Sequence, residues 1–232
     1  MREIVFDTET TGFDFPSGDR LVEIGCVELV NRVETGRTFH AYFHPERLMP
    51  AEAQAVHGLS DAFLSDKPLF AHLVADLLAF IGDDAPLVAH NAGFDFGFLN
   101  GEIGRCGHPH VCTTRMIDTL AIARTRHPGA KHSLDALCNR FGIDRSHRVQ
   151  HGALLDAQLL AQVYVELMGG RQIGLGLTST PAASAAEPVL RAFTPRAVRP
   201  PRHFAPAAGD LARHAAFMAG IANPIWGAGA SG

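Results

Sequence analysis

Ile4-Val5-Phe6-Asp7-Thr8-Glu9-Thr10-Thr11-Gly12 lies almost at the start of the chain and reads as a strand leaving an apolar core. Ile4 to Phe6 begin the buried part, and Gly12 marks the exit. Successive side chains on a strand point to opposite faces, so Val5, Asp7 and Glu9 share one face. Two carboxylates side by side at the end of an apolar strand repel each other and cost desolvation energy. A divalent cation between them turns that repulsion into attraction, since Mg²⁺ and Mn²⁺ prefer hard oxygen ligands. On this stretch alone, a strand end emerging into water with both acids solvated is the competing reading.

Outward from this stretch, Leu21 to Val30 is a second strand and Thr38 to Phe43 a third, joined by the short polar segment Asn31 to Gly36 as a hairpin. Pro50 to His57 reads as a short helix stopped by Gly58. Pro68 to Ile81 carries Leu69, Leu73, Leu77 and Phe80 or Ile81 at helical spacing. Pro86 to Ala89 is a brief apolar strand running into His90-Asn91, and Ala92 to Gly104 a helix packing through Phe94, Phe98 and Leu99. Val111 to Thr114 reads as a short strand and Ile117 to Arg126 as a helix. Ser133 caps a helix through Arg140, and Gly152 to Met168 forms another with Leu155, Leu159, Val163 and Leu167 on one stripe. Short connections between the first three strands predict antiparallel pairing, and helix-spaced later strands predict parallel pairing. The expected fold is α/β, a mixed five-stranded sheet with helices on both sides.

The chain has 232 residues, 47% of them hydrophobic, enough for one sizeable core and an appendage. No run of eighteen apolar residues and no basic-then-apolar leader is present, which predicts a cytoplasmic protein. Cys26, Cys106, Cys112 and Cys138 lack paired spacing and read as free thiols. The net charge of −4 divides unevenly, −8 over residues 1–168 and +4 over residues 169–232. An acidic core excludes a free-standing, high-affinity nucleic-acid binder, but not an enzyme that works through metal ions and is held at its substrate by something else.

From Thr178 to Ala208 prolines sit among Ala, Ser, Thr and Arg with little apolar bulk, the composition of a linker. Order resumes at Asp210, an expected N-cap, and Leu211, Ala215, Met218 and Ile221 or Ala222 form an apolar stripe ended by Pro224. An isolated amphipathic helix is marginal in water, so this one is expected to find its other half on a partner.

Two further acidic motifs bear on Asp7 and Glu9. His90-Asn91-Ala92-Gly93-Phe94-Asp95 sets an acid at the start of a helix directly after a strand, and His151-Gly152-Ala153-Leu154-Leu155-Asp156 sets a histidine five residues before another acid. The ordered set Asp-x-Glu, HNxxFD and His-x₄-Asp resembles the DEDD superfamily of 3′→5′ exonucleases, in the branch with histidine in its third motif. The stretches FDTETTG, LVEIGCVELVNR, AVHGLSD, HNAGFDFGFL, SLDALC and HGALLDAQLLAQVY are similar to those of the proofreading (epsilon) subunits of bacterial DNA polymerase III. The resemblance implies a ribonuclease-H-like fold and two divalent ions, Mg²⁺ or Mn²⁺. It implies that Asp7 bridges both ions, Glu9 and Asp156 complete the first, Asp95 holds the second, and His151 is the general base. Substrate contacts are expected from Asp7, Glu9 and Asp156 and from Thr8, Thr10, Glu52, Val56 and His57, with Phe94 either stacking on a base or packing its helix. For His57 a helix-terminating role stays open, as does a capping role for Asn91. His90, His127, His132 and His147 carry no metal-ligand spacing.

The resemblance extends past residue 168. Gln172, Leu175 and Leu177 in QIGLGL resemble a sliding-clamp (beta) docking motif, and LARHAAFMAGIANPIW resembles a polymerase-binding end with Phe217, Met218, Ile221 and Trp226 as anchors on the DNA polymerase III alpha subunit. The implied organisation is an exonuclease domain over 1–168, a clamp-binding segment over 169–177, a linker over 178–208 and a polymerase-binding tail over 209–232. A small additional core subunit is left open. The competing readings are a stand-alone RNA-trimming exonuclease of the same fold and a catalytically idle adaptor, the latter disfavoured by the presence of all four acids and His151.

Overall fold

The apolar run that opens the sequence becomes the middle strand of the sheet. In the computed structural model, which describes residues 1–146, 150–170 and 205–222, β1 (Arg2–Thr10) pairs antiparallel with β2 (Leu21–Val30). On its other side β1 pairs parallel with β4 (Leu87–Ala89). β3 (Val33–Tyr42) and β5 (Met116–Asp118) form the edges, giving the order β3-β2-β1-β4-β5. The described helices are α1 (Ala51–His57), α2 (Asp61–Leu64), α3 (Phe70–Ile81), α4 (Ala92–Arg105), α5 (Thr119–Arg126), α6 (Leu134–Phe141), α7 (Ala153–Leu167) and α8 (Ala208–Ala219). This is the mixed sheet flanked by helices that the element order predicts.

Strand alternation sends the two faces of β1 into different cores. Ile4 and Phe6 join α3 and α4 through Val74, Leu77, Phe96, Phe98 and Leu99. Val5, with Val27 and Val88, faces α7 through Ala157, Leu160, Ala161 and Tyr164. Each fully buried aliphatic or aromatic side chain here contributes roughly 1.5–3 kcal/mol. The Tyr164 hydroxyl donates to buried Glu3 at 2.7 Å, which anchors the far end of α7 to β1. α7 is buried nearly all round because α5 and α6 cover its other side through Leu159, Val163 and Leu167.

Several boundaries differ from expectation for identifiable reasons. The β2–β3 hairpin turns on Asn31 and Arg32 alone, both left-handed at φ 52° and 64°, the geometry of a tight two-residue hairpin. Glu34 to Gly36 therefore lie inside β3, whose polar residues belong to an exposed edge. The fifth strand is Met116–Asp118, not Val111 to Thr114; Val111 is buried, and its backbone is paired in both directions by the Asn100 side-chain amide at 2.8 and 3.0 Å. The helix expected from Ile117 consequently starts at Thr119, capped by the Asp118 carboxylate accepting from Leu120 N. The buried stripe of α3 keeps the expected Leu77 and Ile81, but Phe70 and Val74 take the places read for Leu69 and Leu73. The short helix α2, capped by the Ser60 hydroxyl accepting from Phe63 N, escaped the periodicity because it has one turn. α8 begins at Ala208, so Asp210 lies inside its first turn, paired with Arg213, and does not cap it.

The chain divides into two compact units, Met1–Leu177 and Thr178–Gly232. In the second, α8 has no buried residue, and Leu211 and Phe217 are exposed. All four cysteines are free thiols, Cys26 and Cys138 buried. Among the described residues no helix is long and apolar enough to cross a membrane.

Candidate active site

Beyond Val5 on the α7 face of β1 come Asp7, half-buried, and Glu9, buried. α7 lands opposite them. Its extended N-cap Gly152 starts the helix, and Asp156 N–H donates to Gly152 O at 2.9 Å in the first turn. Asp156 is buried, and His151 just before the helix stays 48% exposed with Nδ1 3.2 Å from Asp156 Oδ2. Glu9, His151 and Asp156 each offer a ligand atom, and these lie within 4.8 Å of one another, the one such group among the described residues.

Asp95 reaches the same strand end from the opposite face. The backbone reverses at Asn91, left-handed at φ 68°, and α4 begins with Asp95 in its first turn. Asn91 holds the N-cap position without a side-chain capping bond; its N–H instead donates to Asp118 Oδ1 at 3.0 Å. Asp95 is buried and accepts from the Thr8 hydroxyl at 2.6 Å, which ties it to β1. Burial pushes its carboxyl up to about 7, against the Thr8 bond and nearby backbone, and Asp118 adds to the rise. A carboxyl raised in the folded state destabilises the fold as pH climbs from its usual value near 4 to about 7. Metal-free protein is therefore expected to lose thermal stability across that range, and Asp95→Asn to flatten the loss in a melting series with chelator.

Of the expected substrate residues, Thr8, Glu9, Thr10, Glu52, Val56, His57 and Phe94 border one groove of about 610 Å³, whereas Asp7 and Asp156 are not among its lining residues. The Thr10 hydroxyl donates to Gly12 O at 2.5 Å, so Thr8 and Thr10 both commit their hydroxyl hydrogens within the protein. His57 does end α1, with Gly58 left-handed behind it, yet it also borders the groove. Its Nδ1 accepts from Leu59 N at 3.1 Å, which puts the neutral ring's hydrogen on Nε2. Burial lowers its pKa and favours that neutral form. Nε2 is the one buried side-chain N or O atom without a hydrogen-bond partner among the described residues. Phe94 packs on Phe98 at 5.0 Å between centroids and borders the groove as well, so its two readings are compatible.

Three features escaped sequence reasoning. Phe13, beside the acidic strand end, is 90% exposed and tilts against Phe94 at 6.5 Å; its signal was a bulky aromatic directly after an exit glycine. Glu23 is buried directly across from Glu9 on β2, where His40 Nε2 donates to it at 2.7 Å. Two carboxylates facing each other across adjacent strands repel. The alternation in LVEIG was its signal, and only the pairing register gave it meaning. Arg20 makes a two-pronged ion pair with buried Glu102 at 2.6 and 2.8 Å, pinning the loop that carries Phe13 to α4. His90, His127 and His132 are occupied in packing and local bonds. His147, Gln172, Leu175, Leu177 and Trp226 lie outside the described residues, as does most of the linker, while Phe217, Met218 and Ile221 sit on or just after α8.

Three buried acids, Glu9, Asp95 and Asp156, and half-buried Asp7 converge with His151 on one strand end. That donor set, oxygen-rich with one imidazole, fits hard divalent cations. Fold and site together define a metal-dependent nuclease. The sequence model of the family described as exonuclease matches residues 4–164. DNA polymerase III subunit epsilon of Rickettsia conorii is 55% identical over 175 residues, 74% of this chain and 76% of that protein. Its namesake from Escherichia coli K12 is 48% identical over 177 residues, 73% and 72% of the two chains. Among solved structures, exonuclease X in complex with 5′ overhanging duplex DNA superposes with a TM-score of 0.54 at 26% identity, covering 71% of this chain and 90% of that one. An Escherichia coli exonuclease I–single-stranded DNA complex gives 0.63 at 18% identity over 72% and 41%, a likeness of fold alone. The chain belongs to the exonuclease family and, within it, to the DNA polymerase III epsilon subunits. It is an enzyme, a 3′→5′ exonuclease of the proofreading type.

Proposed function

We propose that the chain removes mispaired 3′-terminal nucleotides from primer DNA as 5′-mononucleotides, at a centre holding two divalent ions, Mg²⁺ or Mn²⁺. The observation that carries this is the meeting of Glu9, His151 and Asp156 ligand atoms within 4.8 Å at the end of β1. Asp7, Glu9, Asp156 and Asp95 are the residues that would hold the ions. Bound there, the ions would activate water, neutralise phosphate oxygens and stabilise the leaving oxygen. The chain's own residues do the rest. His151 donates from Nδ1 to Asp156 Oδ2, an assignment that leaves Nε2 as the atom that takes the proton of the attacking water. His57, Glu52 and Val56 shape the groove around the terminal nucleotide.

Phe13 and Phe94 supply a stacking surface where single-stranded ends enter. Phe13→Ala is expected to raise KM for a single-stranded 3′ end about 5–150-fold, since one base stack is worth roughly 1–3 kcal/mol. Its melting temperature should not move, because the ring is 90% exposed.

Residues 1–168 form the exonuclease domain in this reading, residues 169–177 bind the sliding clamp, and 178–208 tether a tail, 209–232, that binds the polymerase alpha subunit. The amphipathic face of α8, with Leu211 and Phe217 exposed, supports the tail assignment. Such a tether raises the effective concentration at the primer end and explains how an acidic core acts on DNA. Deleting 209–232 should abolish co-purification with the polymerase and leave trimming of free single strands within about twofold, as expected for a module joined to the domain only through a linker. Polymerase capture by the truncated chain overturns the tail assignment. RNA trimmed as fast as a 3′-mismatched DNA primer overturns the proofreading reading in favour of an RNA-trimming enzyme.

A further inference from the structure

Gly25 on β2 is the strand partner of Asp7 and lies on the face that α7 covers. A Cβ built there would fall 2.3 Å from Leu154 Cα and N and 2.4 Å from Ala153 C. These are backbone atoms of the first turn of α7, so no side-chain rotation relieves the clash. The other tight glycines differ: at Gly12, Gly58, Gly101 and Gly104 the added atom would meet the side chains of Asp19, Gln150, Phe15 and His110. Gly25 has no left-handed φ, so close approach alone requires the glycine.

The rest of α7 cannot follow a displaced first turn. Its far end is tied by the Tyr164–Glu3 hydrogen bond at 2.7 Å and by the Arg32 guanidinium donating to Met168 O at 3.0 Å. Val5, Val27, Leu160 and Ala161 pack the interface between. A helix held at one end and lifted at the other pivots, and the residues that swing farthest are His151 and Ala153 to Asp156. Those are the ones that must meet Asp7 and Glu9.

We infer that Gly25 is a positioning residue of the nuclease site. Its missing side chain lets the first turn of α7 seat directly on the sheet beside Asp7, and this seating delivers Asp156 and His151 to the metal centre. The inference rests on the metal-centre reading above. A shift of about 1 Å in such a site costs on the order of 100-fold in rate.

The test uses the full chain, titrated with Mn²⁺ and followed by the electron paramagnetic resonance of the free ion, beside single-turnover trimming of a 3′-labelled strand. Gly25→Ala is expected to bind Mn²⁺ at least about tenfold more weakly and to trim about 100-fold more slowly. Val27→Ala loosens the same sheet–helix interface further from the site; it should lower the melting temperature and leave Mn²⁺ affinity within about twofold. If Gly25→Ala does not fold, Ala157→Val, which crowds the same end of α7 from a fully buried position, takes its place with the same expected results. Wild-type Mn²⁺ affinity in the crowded variant overturns the inference. So does a Val27→Ala loss as large as that of Gly25→Ala, because general loosening would then suffice. A wild-type chain that binds no Mn²⁺ overturns the metal-centre reading itself.

Discussion

Asp7→Ala is expected to lower 3′-end trimming by about four orders of magnitude, roughly 5–6 kcal/mol of transition-state stabilisation. One preorganised electrostatic contact is typically worth about 10²–10³ in rate, and Asp7 in the proposed centre serves both ions. The loss should come without unfolding. Asp7 is half-buried, at the end of a strand held along its length by β2 and, near Ile4 and Val5, by β4. It also belongs to a cluster in which Glu9, Glu23, Asp95 and Asp156 are buried. Removing one like charge from such a cluster stabilises the metal-free fold. The melting temperature in chelator is therefore expected to hold or rise. Added Mn²⁺, which stabilises wild type by binding the folded state, should have little effect on the variant. Equal trimming by variant and wild type would sink the enzymatic assignment of this site. An activity loss accompanied by a collapsed melting temperature would make Asp7 structural.

His151→Gln is expected to reduce the rate of the chemical step by roughly 10²–10⁴, the range for loss of a positioned general base. The neutral amide keeps a polar group near Asp156 but cannot take a proton. Because His151 is half-exposed and outside α7, the substitution should leave the fold intact. The distinguishing readout is Mn²⁺ affinity. A general base can be lost with the acids still holding metal, so affinity should fall less than about tenfold, whereas Asp156→Asn should weaken it far more. If His151→Gln instead abolishes Mn²⁺ binding with an unchanged rate at saturating metal, the imidazole is a ligand and not the base.

The same chain shows where local pattern suffices and where it fails. Ile4 to Gly12 was readable because a strand has period two and a carboxylate pair at its apolar end has few purposes. The β2–β3 turn, the displaced fifth strand and the one-turn helix α2 were misread or missed because their cause is nonlocal or too short to show a period. Asn100 pairs the backbone of Val111 from another element, and polar Glu34 to Gly36 become strand only as the edge of an existing sheet. Phe13 could not be weighed until its exposure and its neighbour Phe94 were known.

By itself, the sequence determined the element order that predicts the sheet, since periodicity and turn residues act locally, and its ordered acids and histidine carried the resemblance that implies the class of chemistry and the five residues proposed to perform it. Tertiary structure decided what no spacing encodes. Strand register set Glu23 against Glu9 and Gly25 against Asp7, the Thr8 hydroxyl fastened Asp95 to the same strand end, and the first turn of α7 came to rest where only a glycine leaves room. The reason is physical: charge and hydrogen-bonding type belong to a side chain, but the distances that make them a site belong to the packing of elements distant in sequence.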